Sequence, residues 1–160
     1  MARRARWLVP SGAVLAMAVV ALHPSTVLEL ENAARGQTFR IPVGGEAFSV
    51  VAHHSIYDQP VTEEFVVDAD GRIVLVAVSS PSDAVREYFG ITAPGERHEI
   101  ERAMPEVVFR VATGEPQRLR VSGLERSFLD LGDHGDRLVM RASRRSAVAR
   151  WIDRLTGAAL

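Results

Sequence analysis

Short runs of alternating apolar and polar residues, broken by glycine, proline and acidic turn residues, fill most of this chain. The runs at 38–43, 47–53, 63–67, 72–78, 97–101, 106–112, 118–122 and 137–142 each read as a β-strand. In the second of them Phe48, Val50 and Ala52 share one face. The turn Asp68-Ala69-Asp70-Gly71 between 63–67 and 72–78 predicts a hairpin, because Asp-Gly accepts the positive φ that such turns require. Residues 83–89 predict one short helix capped by Ser82. Many short strands at near-regular spacing predict a mainly β fold, a small antiparallel sandwich or barrel.

The two ends of the chain break this pattern. Residues 7–22 carry no charge and follow Arg3, Arg4 and Arg6, the pattern of a hydrophobic helix serving as signal peptide or signal anchor. Basic residues on that side keep the N-terminus in the cytoplasm and put the body outside, in the periplasm. Sixteen apolar residues is short for a span of roughly 20. Val19 and Ala21 would suit cleavage, whereas His23, Pro24 and the weakly apolar 26–30 suit a retained inner-membrane anchor, the reading preferred here. At the other end, 146–160 switches to a helical period. Ala147, Val148, Trp151, Ile152 and Leu155 fall on one face, and Arg150, Asp153 and Arg154 fall opposite. A short amphipathic helix of this kind either packs on its own domain or docks on a membrane or partner through Trp151, Arg150 and Arg154. The expected organisation is therefore an anchor or signal peptide over 1–23, an extracytoplasmic β-domain over 24–145, and a C-terminal amphipathic helix over 146–160.

Composition removes several kinds of chemistry. The chain lacks cysteine, which excludes disulfides, thiolate metal sites and a cysteine nucleophile. All 19 basic residues are arginine, so Schiff-base chemistry and a P-loop lysine are excluded too. With a net charge of −1 overall and three arginines ahead of the apolar run, the rest carries −4, which offers no footprint for nucleic acid.

His53 and His54 stand among Tyr57, Asp58, Glu63 and Glu64. Neighbours on a strand point to opposite faces, so the two histidines do not converge on one metal. The expectation is a hydrogen-bonded pair between His54 and Glu63 that fixes the intervening loop. Ser55 beside His54 lacks the glycine-framed elbow of a serine nucleophile. With no Gly-rich phosphate loop and no dinucleotide fingerprint, the sequence predicts neither catalysis nor a cofactor, and assigns no metal ligand. A periplasmic small-molecule or metal-binding module is the alternative.

The stretch 24–67 resembles the uncharacterised domain-of-unknown-function eighteen-fifty family, found in prokaryotes and often encoded beside TAXI-type TRAP transporters. Val27-Leu28-Glu29-Leu30 resembles the family's first strand, and Gly45-Glu46-Ala47-Phe48 its glycine-led second one. His54-Ser55, Pro60 and Glu63 match its spaced signature, followed by Phe65 as the aromatic. Tyr88-Phe89-Gly90-Ile91 stands where the family shows a Gly-Ala-Gly-like turn with proline. The resemblance implies a membrane-anchored accessory of an ion-gradient-driven organic-acid carrier, with transporter subunits as partners and His54, Ser55, Pro60 and Glu63 building a signature loop.

Overall fold

The computed structural model describes residues 24–115 and 117–157, and the hydrophobic helix expected over 7–22 lies outside them. Its strands are β1 (Pro24–Asn32), β2 (Gln37–Pro42), β3 (Phe48–His53), β4 (Pro60–Val67), β5 (Ile73–Ser79), β6 (Arg97–Met104), β7 (Val107–Arg110), β8 (Arg118–Val121), β9 (Leu124–Ser127) and β10 (Arg137–Ser146). Helix α1 (Asp83–Tyr88) follows β5, and helix α2 (Ala147–Leu155) follows β10. The strands form two antiparallel sheets. Sheet A has the order β2-β1-β10-β7, and sheet B the order β6-β5-β4-β3-β8-β9. The chain crosses to sheet B after β2, returns for β7, crosses again for β8 and β9, and ends in sheet A with β10.

Both sheets turn one apolar face to a common core, a β-sandwich-like arrangement. Leu28, Leu30, Ile41, Leu138 and Met140 come from sheet A, and Phe48, Val50, Phe65, Ile73, Leu75, Val78, Leu119 and Val121 from sheet B. The Phe48 and Phe65 rings stack across β3 and β4 with centroids 5.4 Å apart. Each such side chain contributes about 1.5–3 kcal/mol when fully withdrawn from water.

Turn chemistry sets the registers. The hairpin of β4 and β5 forms around Asp68, whose carboxylate accepts the backbone N–H groups of Asp70 and Arg72 at 2.9 Å each. Strand β9 was not legible, since Leu124-Glu125-Arg126-Ser127 holds a single apolar residue. It pairs with β8 because Ser122 and Gly123 adopt φ of 47° and 79°, the primed two-residue turn whose twist matches the strands. Ser82 caps α1 as its position predicts, accepting the N–H of Val85 at 3.4 Å. Gly90 ends that helix at φ 81°, where its N–H reaches the Glu87 carbonyl at 2.9 Å.

Asn32 ties down the turn end of the β1–β2 hairpin. It is wholly buried, donates to the Leu131 carbonyl at 3.1 Å and to Asp136 at 2.8 Å, and accepts the N–H groups of Ala34 and Arg35. One amide thus joins β1 to a loop about a hundred residues downstream. Asn32→Ala leaves those groups without partners and is expected to cost roughly 1–3 kcal/mol, read from urea unfolding midpoints.

Candidate functional site

Strand β4 separates two ends of sheet B. Its eight residues, seven steps of about 3.3 Å, hold Pro60 and Val67 about 23 Å apart. At the Val67 end, the 68–71 turn meets sheet A across a cleft of about 320 Å³ lined also by Thr26 and Ala142 to Arg144. At the Pro60 end lie the loop after β3 and helix α1.

That loop is built around His54. The residue follows the inward parity of Phe48, Val50 and Ala52, and is buried, while His53 turns outward to Asp58 at 3.3 Å. The His54 N–H donates to the Gln59 carbonyl and its carbonyl accepts from the Asp58 N–H, both at 2.8 Å. Its ring stacks on Tyr57 at 5.1 Å and meets the rings of Tyr88 and Phe89 edge-on at 4.5 and 6.4 Å. Ser55 and Pro60 are exposed, and the Pro60 carbonyl accepts the Ser80 hydroxyl at 2.7 Å. The side chains that face solvent around this cluster are Ile56, Tyr57 and Tyr88, at 67%, 41% and 60% exposure.

The expected hydrogen bond between His54 and Glu63 does not form. Glu63 stands opposite Val50 on β3, four residues and about 13 Å of strand before His54. What holds the loop against α1 is a pair that sequence reading passed over, Ser80 and Arg86. Arg86 is buried, donates to the Ser80 carbonyl at 2.9 Å and pairs with Asp83. Ser80 in turn accepts the Ser82 N–H and holds Pro60. No periodicity marks it, since Val85 and Phe89 already supply an apolar i, i+4 face that omits Arg86.

Glu63 occupies an unusual place of its own. Its cross-strand neighbours are Val50 and Val78, both buried in the core, and directly opposed side chains share a face. The carboxyl therefore points inward from the middle of sheet B. Among the described residues no donor reaches it, and burial pushes its pKa up to about 7. Next along the strand, Glu64 points outward, where the Arg97 guanidinium grips it with two bonds of 3.0 and 2.9 Å. That hydrogen bonding lowers the Glu64 pKa.

Helix α2 lies over the outer face of sheet A with its polar side inward. Asp153 is 5% exposed and accepts from Arg40 of β2 and Arg145 of β10, each at 3.1 Å. Arg40 also reaches Glu29 of β1 at 3.2 Å, and the Ser143 hydroxyl donates to the same carboxylate. This polar outer face of β1, β2 and β10 is why the charged side of the helix docks. Arg150 and Arg154 line the crevice between helix and sheet with Val27, Arg40 and Pro42. The apolar residues turn away: Val148, Trp151, Ile152 and Leu155 are 47%, 60%, 49% and 67% exposed. The helix packs on its own domain, yet through the face opposite to the one a hydrophobic contact would use.

Among the described residues, no group of three or more His, Asp or Glu side chains gathers to hold a metal ion. None of the described helices is long and apolar enough to cross a membrane. No family model matches the chain, and neither a curated protein nor a solved structure is significantly similar to it.

Proposed function

We propose that this chain is a non-catalytic, membrane-anchored extracytoplasmic accessory protein of a TRAP-type (TAXI) organic-acid transporter. The transporter assignment rests on the resemblance carried by His54, Ser55, Pro60, Glu63 and the strands before them. The observation that supports a binding role is the division of sheet B into two ends. The uncharged run 7–22 precedes β1, whose Thr26 lines the cleft at the 68–71 turn, whereas Ile56, Tyr57 and Tyr88 stand at the other end. An anchored body in this orientation presents an aromatic surface away from its tether. Tyrosines around a buried ring suit protein recognition, since they cover large area at low entropic cost.

Affinity purification of the full chain from mild-detergent membranes tests this. The expected result is recovery of a multi-span TRAP permease or its binding protein. Ile56→Ala, which removes the most exposed of these side chains, should reduce that recovery with the melting temperature within about 2 °C of the parent, because surface changes cost little stability. Recovery of the chain alone, under conditions that keep other membrane complexes together, overturns the proposal.

A further inference from the structure

We infer that the outward face of α2, made by Val148, Trp151, Ile152 and Leu155, lies in the interfacial layer of a bilayer containing anionic lipid. The inference rests on the anchored reading above and adds a second, independent contact to it.

Three observations lead there. The helix is fixed in its inverted pose, because Asp153 binds strands β2 and β10 at once through Arg40 and Arg145. Its apolar side is therefore presented as a rigid strip rather than as a helix free to roll over and bury it. Next, Pro24 pairs with Ser146, and Ser146 is the residue that caps α2. Paired strands lie about 5 Å apart, so the uncharged run 7–22 joins the fold one strand spacing from where the helix begins. A bilayer holding that run comes to the end of sheet A at which α2 begins.

The third observation is the charge beside the strip. Arg154 is exposed, and among the described residues it is not engaged in an ion pair. Asp153, the one acid on the helix, is consumed by Arg40 and Arg145. An arginine bordering an apolar strip that carries tryptophan matches the lipid boundary, where the ring sits at headgroup level and a guanidinium group reaches phosphates. Nine residues at 1.5 Å rise make a helix of about 13 Å, suited to lying flat and too short to span.

The test uses the full chain carrying Trp7→Phe, which leaves Trp151 as the sole tryptophan. The protein is reconstituted into vesicles of phosphatidylcholine and phosphatidylglycerol, with and without lipid brominated on the upper acyl chain. Expected is flotation with the vesicles, blue-shifted Trp151 emission, and quenching by brominated lipid of at least half. Arg154→Gln should weaken that quenching in phosphatidylglycerol vesicles while flotation persists. Flotation with water-like, unquenched Trp151 emission overturns the inference and leaves the anchored reading standing. Blue-shifted but unquenched emission also overturns it, and assigns the strip to a protein cover, either residues 7–22 or a second copy. Failure to float overturns the anchored reading itself, and this inference with it.

Discussion

Glu63→Gln is expected to stabilise the protein at pH 8 and to leave it nearly unchanged at pH 4. The carboxyl points inward between Val50 and Val78, and burial pushes its pKa up to about 7 against an ordinary value of 4.5. Below about pH 4.5 both folded and unfolded chains carry the proton, so the group costs nothing beyond its neutral form. Between 4.5 and 7 the unfolded chain releases the proton and the folded chain keeps it. Stability therefore falls as pH rises through that window and levels off above it. The full difference corresponds to on the order of 3 kcal/mol at 1.36 kcal/mol per pH unit. The residue as a whole retains some contact with water, which trims this to about 2 kcal/mol. Glutamine has nearly the same shape and no proton to lose. Its melting temperature at pH 8 should exceed the parent's by roughly 5–10 °C for a domain of this size. The measurement is a pair of thermal melts across pH 4–8, read as the difference between the two proteins. Groups such as Glu64 and Asp136, whose pKa values are lowered, affect both alike and cancel. Parallel curves would mean that the Glu63 carboxylate is satisfied by charge or solvent in the folded state.

Asp153→Ala should release α2 without unfolding the sheets. The aspartate is the one side chain through which the helix binds both Arg40 and Arg145, and it lies buried between them. Removing one member of a buried ion pair costs about 3–5 kcal/mol, because the remaining charge stays desolvated. Both arginines keep part of their surface in water and Arg40 retains Glu29, so about 2–3 kcal/mol is the appropriate figure. That energy belongs to local opening. Amide exchange across Ala149 to Thr156 should accelerate about 30- to 100-fold, while the β1–β10 ladder keeps its protection. Asp153→Asn, which keeps an acceptor oxygen, should fall between. If exchange in the helix is unchanged, something other than this ion cluster holds it.

What could be read from the chain was mostly local. The period-2 runs, the Asp-Gly hairpin and the Ser82 cap are each contained within a few residues, and each forms where the sequence places it. Strand β9 depends on a turn rather than on its own apolar content, so its four residues gave no period. The orientation of α2 shows a different limit. Helical periodicity identifies the two faces but not which faces inward. That is decided by Glu29, Arg40, Ser143 and Arg145, which reach one surface only after β1, β2 and β10 have paired. Glu63 and His54 fail to meet for a related reason. His54 opens the loop between β3 and β4, but the register opposite Val50 sets the glutamate inside β4 rather than in that loop. Ser80 and Arg86, which hold the loop in their place, come from the next hairpin and helix.

The pairing of β1 with β10 also governs the order in which the molecule can be made. The first strand of the described body has two neighbours, and one of them is the last strand of the fold. Until Arg137–Ser146 has emerged from synthesis or from a translocation channel, β1 presents an open edge and Asn32 lacks its Leu131 and Asp136 partners. Closure then requires a contact spanning more than a hundred residues, which slows the folding of sheet A. The β3 to β6 part of sheet B, whose strands are neighbours in sequence, can pair while the rest is still arriving. During that interval the newly exposed edge of β1 is the place where a chaperone, or another copy of the same strand, would find a template.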